Sequence, residues 1–497
     1  MKIIFSYPPL DTAKGYPTLG QNRQFQYFSE PTFIYPVVPA IAATMLHRDG
    51  HLVLWNDSLA EGIDREGYFR LLREEQPDLI VFETKTPVIK EHWRFIAEIK
   101  GLSTANWQPV AVLVGDHVTA LPEESFRKSP VDFVITGGDY DFLLANLCRS
   151  LAAGGGFDPQ SAIRNPQSLE PGIWYRADNA IRNTGEFRLD HDLDQAPFID
   201  RDLSKWDLYA YKNGNYKRRP GTYLMSGRDC WWGGCSFCSW RTLYPKYRVR
   251  SVENVLDEIG RIVETLPVRE IMDDTGTFAA GKWLRKFCRG VIERGYHRKV
   301  GFDCNFRFGA ATFEDYRLMK KAGFRFLLFG LESGNQETLD RVHKNLRVGE
   351  IIESCQMARQ AGLYPHITLM FGYPWENHEQ ARRTLELGQY LLKSGSAYTM
   401  QATIVVPYPG TDLYREAREN DWLLTDDWSA FDMTRPVMKI PFPEEELTKL
   451  VRKMYATAFH PLFLLRKALS VRDPDDLRYF LRAGGKVVAH IKDFRKG

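Results

Sequence analysis

Along the first 150 residues, short apolar runs alternate with amphipathic stretches. Lys2–Ser6, His51–Asn56, Leu79–Glu83, Val110–Gly115 and Phe133–Gly137 are rich in Val, Ile and Phe and bounded by Gly, Pro, Asp or Asn, which predicts strands. Ala40–Leu46, Tyr68–Glu75 and His92–Leu102 lie between them and read as helices. Strand–helix–strand alternation of this kind predicts a parallel sheet with helices on both faces. Ligands of such sheets sit beyond the carboxyl ends of the strands. The residues placed there are Asp57, Thr84, the Gly115-Asp116-His117 turn and the Gly137-Gly138-Asp139 turn.

The pattern weakens over residues 151–219. AAGGGFDPQSAIRNPQ reads as a turn-rich connector, GIWYRADNAIRNTG as a hairpin around Asp178-Asn179, and LDHDLDQAPFIDRDL as an acidic linker. A second alternating series follows. Its strand candidates are Thr222–Ser226, Glu270–Asp273, Lys299–Asn305, Arg325–Gly330, His366–Phe371 and Ala402–Pro407. Helices are expected at Val252–Thr265, Trp283–Arg294, Phe313–Ala322, Gly349–Ala361 and Glu379–Ser394. About six β/α units suit a partial barrel rather than a closed eight-fold one. The last 80 or so residues read as helical. The expected architecture is therefore α/β: a Rossmann-like sheet over residues 1–150, a linker with a hairpin over 151–219, a partial (β/α)6 barrel over 220–415 and a helical C-terminal domain over 416–497.

Composition narrows the class without deciding it. The 497 residues carry 66 basic and 63 acidic side chains, a net +3, with 44% hydrophobic and 26% charged residues. That balance excludes an acidic disordered chain and gives no global basic field for a nucleic acid. Seven cysteines are few and odd in number for a disulfide framework. The first residues lack the long apolar core of a secretory signal, and the longest apolar stretch, Tyr35–Leu46, is interrupted by Pro36 and Pro39. A reduced, cytoplasmic protein is expected.

Three of the cysteines carry the chemistry. Cys230, Cys235 and Cys238 fall in SGRDCWWGGCSFCSW, immediately after a predicted strand. Structural zinc would require a fourth ligand, which a distant residue such as Cys304 could supply by folding back. Three thiolates also suffice for a [4Fe–4S] cluster with one iron left open, a departure from the usual four-cysteine cage. Gly233 and Gly234 let the loop bend tightly around a bulky centre. Cys148, Cys288, Cys304 and Cys355 lie apart and read as ordinary buried thiols.

A three-cysteine loop after the first barrel strand, with Phe237 between the last two cysteines, resembles the radical SAM superfamily. Four residues precede the second cysteine, one more than the usual spacing. The stretches YRVRSVENVLDEI, IMDDTGTF, FDCNFRF, KKAGFRFLLFGLESGNQETLDRVHKN, FGYPWE and VVPYPGTDLY resemble that family in the same order. The resemblance implies an open cluster on Cys230, Cys235 and Cys238, with S-adenosylmethionine (SAM) held by Phe237, Asp274, Arg307, Glu332 and Ser333. A sheet ahead of such a barrel is similar to the cobalamin (B12)-binding subfamily of methylases and anaerobic porphyrin cyclases. LVGDHVTALPEE and DFVITGGDYDFLL resemble its fourth and fifth strand ends. This implies cobalamin contacts at Thr84, Gly115, His117 and Gly137. Asp116 and His117 are adjacent, so the subfamily's Asp-x-His-x-x-Gly motif is incomplete and His117 is not expected as an axial cobalt ligand.

What the resemblance implies is a cobalamin-dependent radical SAM enzyme. It would cleave SAM to a 5′-deoxyadenosyl radical, abstract hydrogen from an unactivated carbon and transfer a methyl group from methylcobalamin. A non-methylating cyclase or rearrangement enzyme is the alternative, and a metal-stabilised binding protein without turnover the second. The expected partners are a small or lipid-like substrate and an electron donor such as flavodoxin or ferredoxin. Tyr209, Tyr211, Lys212, Tyr216, Lys217, Arg218 and Arg219 interleave rings and cations, the pattern of a nucleic-acid patch, but the near-neutral chain argues for a solvated face. Apolar positions such as Phe463, Leu464, Leu465, Tyr479, Phe480 and Leu481 suit core, lid or a peripheral membrane contact.

Overall fold

The chain forms two parallel sheets whose carboxyl ends face each other across a shared interface. The computed structural model describes residues 1–19, 25–153, 163, 165–178 and 180–493, with side chains described as far as residue 488. Most of the expected connector and Asn179 of the expected hairpin turn lie outside those residues.

The first sheet contains β1 (Lys2–Tyr7), β2 (Leu52–Asp57), β3 (Leu79–Thr84), β4 (Val110–Gly115) and β5 (Phe133–Ile135), all parallel, in the order β2-β1-β3-β4-β5. Period-two alternation buries both faces. Ile3 and Phe5 pack against α1 (Val37–Arg48) and α4 (Tyr140–Leu151), while Ile4 and Ile80 pack against α2 (Arg65–Glu75) and α3 (Ile89–Gly101). Pro39 falls in the first turn of α1, where a missing N–H costs nothing. The hairpin β6 (Ile173–Ala177) and β7 (Ala180–Asn183) extends this sheet antiparallel to β5.

The second sheet runs in sequence order: β8 (Gly221–Leu224), β9 (Glu270–Asp273), β10 (Gly301–Phe306), β11 (Phe324–Glu332), β12 (Tyr364–Phe371) and β13 (Thr399–Ile404). All neighbours are parallel and β8 does not pair with β13, so the barrel stays open on one side. Outward residues such as Ile271, Leu327 and Ile367 form one core with α5 (Val252–Thr265), α6 (Gly281–Glu293), α7 (Phe313–Lys321), α8 (Val348–Gln360) and α9 (His378–Ser394). Ser251, Thr312 and Asn377 cap α5, α7 and α9 through their side chains, which sets these helix starts sharply.

Two regions differ from the sequence expectation. The last strand lies three residues earlier than expected. Thr399 and Gln401 face the barrel lumen and so look polar in the sequence, whereas Val406 and Tyr408 lie past the strand and pack toward the first sheet. The C-terminal part also divides. Residues 420–443 return to the first sheet through Lys90–Asp427 and Lys14–Asp432 ion pairs of 2.8 and 2.9 Å. Helix α10 (Glu444–Ala456) packs on α9 and β13, and α11 (Pro461–Ser470) and α12 (Pro474–Asp493) run near the strands' amino ends. Among the described residues no helix is long and apolar enough to cross a membrane.

Candidate active site

The cysteine loop leaves β8 and is pinched at its base by a two-residue pairing of Gly227–Arg228 with Arg248–Val249. Both arginines reach into the first sheet's edge. Arg228 Nη1 lies 2.9 Å from Asp139 Oδ1 and 2.8 Å from Asp141 Oδ1, and Arg248 Nη1 donates to Asp139 Oδ2 at 2.7 Å. His191 completes the cluster with contacts of 3.0 Å to Asp139 and 2.8 Å to Glu170. Burial works against a charged His191, yet the two carboxylates outweigh it and raise its pKa to about 9. The same network overcomes the burial of Asp139 and holds its carboxyl well below the usual range. The loop itself is held by Ser236 N–H on the Val342 carbonyl at 3.0 Å and Trp232 Nε1 on the His343 carbonyl at 2.9 Å.

Above the strand ends this loop roofs a cavity of about 250 Å³. Cys230, Cys235 and Cys238 line it, together with Phe237, Asp274, Arg307 and Glu332. Four segments far apart in sequence thus bring the predicted residues to one place. Cys230 Sγ lies 3.0 Å from Thr277 Oγ1. Burial pushes the Cys235 thiol up, partly offset by Lys344 and Arg307. Arg307 is fixed by a 2.8 Å bond to the Asn345 carbonyl and lies over the Trp232 ring at 4.5 Å. The cavity therefore places soft thiol donors beside two cations, which offset part of the cost that burial imposes on the Cys235 thiolate.

Glu332 is aimed by backbone strain. It sits at φ 64°, where a non-glycine residue is uncommon, and the β11–β12 register slips between Gly330 and Glu332. Its carboxylate pairs with Lys344 at 2.8 Å. A Cβ on Gly330 would meet that pair, so the glycine makes room for it. Burial lowers the affinity of Lys344 for its proton, but Glu332 outweighs burial and the lysine is held charged. Lys344, Thr277, Asn305 and Gly330 line the cavity and were not singled out from sequence. Lys344 stood within a matched stretch, but only the fold shows that the turn preceding α8 returns to Glu332.

Other predicted residues lie elsewhere. Ser333 is fully buried behind the cavity wall, and its hydroxyl donates to Glu376 Oε1 at 2.7 Å. Thr84 Oγ1 is 2.7 Å from His92 Nδ1. His117 contacts Thr86 and Glu124 at 3.2 and 3.3 Å and meets the Trp428 ring edge-on at 5.3 Å. Gly115 lets its strand approach the Thr84 carbonyl, and Gly137 is covered by the Phe187 ring. The basic–aromatic stretch divides: Tyr209, Tyr216 and Lys217 are buried, with Tyr209 donating to Asp57 at 2.9 Å and Lys217 pairing with Asp476 at 2.6 Å, while Tyr211, Lys212 and Arg218 are exposed.

Among the described residues no three His, Cys, Asp or Glu side chains surround a point where a single ion would sit. Three thiols along one cavity wall, with open space in front and cations behind, suit a cluster with an open iron instead. Residues 225–388 match the family model of the radical SAM superfamily.

The chain carries a radical SAM domain.

Over its length the chain is similar to an uncharacterized methyltransferase of Pyrococcus horikoshii, at 26% identity across 95% of this chain and 94% of the relative. It is 27% identical to the anaerobic magnesium-protoporphyrin IX monomethyl ester cyclase of Cereibacter sphaeroides, across 79% of this chain and 61% of that enzyme. The fold is that of the cobalamin-dependent S-adenosylmethionine radical enzyme OxsB, solved with aqua-cobalamin and S-adenosylmethionine bound, at TM-score 0.68 and 13% identity across 98% of this chain and 71% of that one. The radical SAM domain is thus one part of a longer shared architecture that includes the first sheet.

Proposed function

We propose that this chain is a cobalamin-dependent radical SAM C-methyltransferase. One observation carries the reading: the three loop thiols, Arg307, the Glu332–Lys344 pair, Asp274 and Phe237 share a single cavity at the barrel's strand ends. Cys230, Cys235 and Cys238 would hold the cluster. Glu332 and Asp274 offer carboxylates to the amino group and ribose of SAM, Arg307 offers a cation to its carboxylate, and Phe237 gives the adenine an apolar face. Ser333 is a positioning residue, fixing from behind the turn that aims Glu332. When bound, the cluster supplies the electron for reductive cleavage of SAM, and the corrin supplies the methyl group. The residues here bind and orient SAM and keep the cavity closed to bulk water.

The support for cobalamin is the fold likeness and the methyltransferase relative. Thr84, Gly115, His117 and Gly137 stand at the carboxyl ends of the first sheet, but protein groups engage them, so no step is assigned to them. A flavodoxin or ferredoxin is the proposed electron donor. Incubating the reconstituted protein with hydroxocobalamin, reductant and SAM, then analysing the nucleosides, tests the reading. Retained cobalt and S-adenosylhomocysteine beside 5′-deoxyadenosine are expected. 5′-Deoxyadenosine without S-adenosylhomocysteine or cobalt would place the chain with the non-methylating enzymes.

A further inference from the structure

A second cavity, of about 300 Å³, lies at the opposite end of the barrel lumen. It shares Phe28, Thr32, Asn215, His366 and Gln401 with the thiol-lined cavity, so the two meet inside the barrel. The strands show how. Alternate residues point inward: on β11, Phe326 lines the lower cavity, and Leu328, Gly330 and Glu332 line the upper. On β12, His366 lines both, with Thr368 and Met370 above it. Six residues of strand span about 20 Å, so the passage is long. Its lower walls are apolar, with Phe463 and Leu464 from α11 and Phe480 and Val487 from α12. Phe459 and Leu464 are about half exposed, at 46% and 49%, and mark where it opens to solvent.

Two lysines stand in this apolar wall. Lys467 Nζ lies 3.1 Å from the centre of the Tyr398 ring and donates to the Tyr398 carbonyl. Lys486 donates to Thr32 Oγ1. Neither forms an ion pair among those of the described residues; the carboxylates that act on them from further off are Asp476 on Lys467 and Glu30, exposed at the opening, on Lys486. Burial lowers both lysines, Lys486 to about 8. A buried cation without a counter-ion is costly, and an anion arriving beside it relieves that cost.

We propose that the lower cavity and lumen bind a long apolar molecule carrying one acidic group, with the acid at Lys467 or Lys486 and the hydrocarbon end extended toward Cys230, Cys235 and Cys238. This names a substrate class for the radical reading above and rests on it for its catalytic meaning, but the binding is independent of SAM. It would explain why an enzyme for unactivated carbon keeps cations at the far end of its lumen from its thiols.

The test uses the full cluster-loaded chain without SAM. Binding of cis-parinaric acid is followed by its fluorescence, then displaced by palmitic acid, hexadecyl phosphate or hexadecanol. Saturable binding is expected, with the two acids displacing the probe at least about tenfold better than the alcohol, since a charge-assisted bond is at stake. Whichever acid is tighter identifies carboxylate or phosphate as the headgroup. Lys467→Met or Lys486→Gln should shrink the acid preference while leaving hexadecanol unchanged. Ala483→Trp should fill the cavity and weaken all three ligands. Absence of saturable binding, equal displacement by acid and alcohol, or a preference untouched by both lysine variants would overturn the proposal. Iron content and SAM cleavage, measured on the same samples, separate its failure from failure of the radical reading.

Discussion

The first sheet and the barrel are both parallel, both built from β/α units and both end their strands toward the same interface, yet they finish those ends differently. At the barrel's ends the backbone is bent to open space: Glu332 sits in the left-handed region, Gly330 leaves room for Lys344, and thiols and charges share a cavity. At the first sheet's ends the space is filled. His117 lies against Trp428, Gly137 under Phe187, and Gly138 under Tyr244 from the cysteine loop. At these residues the same fold position is open in one half and covered by protein side chains in the other. Asp139 makes the link, because it joins the first sheet to both arginines at the base of the thiol loop.

The contrast can be broken at three places. The largest effect on activity is expected at Glu332. Glu332→Gln removes a carboxylate from the cavity and leaves Lys344 buried without its partner, so SAM cleavage should fall by about 100-fold, close to 3 kcal/mol. Initial rates of 5′-deoxyadenosine formation measure it. A loss below about threefold would show that this cavity end is not the SAM site. Trp428→Ala should act on the packed half, costing about 3–5 kcal/mol of stability by removing a buried ring and its 3.0 Å bond to Glu124. Urea melts check this, and SAM cleavage by the folded variant should stay near wild type.

The smallest effect sharpens the link. His191 has a raised folded pKa, so its stabilising charge is fully present below about 6.5 and is lost as pH rises through about 9. Comparing wild type with His191→Gln across that window should show a stability gap of about 1–2 kcal/mol at low pH that closes on the alkaline side. A gap constant with pH would mean the ring acts by packing on Phe142 alone, 4.3 Å away.

Much of this was legible in the sequence because periodic burial writes itself into residue choice. The two strand–helix series, the open six-strand barrel and helices such as α5 follow from period and caps. Cys230, Cys235 and Cys238 could be found because a loop motif is local. Lys344 could not, since its role depends on a return of the chain to Glu332. Ser333 is a neighbour of Glu332 in sequence, but the strand ends at Glu332, whose left-handed backbone turns the chain, and the Ser333 hydroxyl goes to Glu376 instead. The Gly137-Gly138 turn reads as a ligand loop for a similar reason: small residues mark close approach, and the sequence does not say whether a ligand or a ring approaches.

The most direct test of the central claim is anaerobic reconstitution with iron and sulfide, followed by metal analysis and single-turnover reduction with SAM. Wild type should hold about four irons per chain and yield 5′-deoxyadenosine, and Cys235→Ala should do neither. Zinc in place of iron, or a full cluster with no SAM cleavage under reduction, would contradict the assignment of the barrel-mouth cavity.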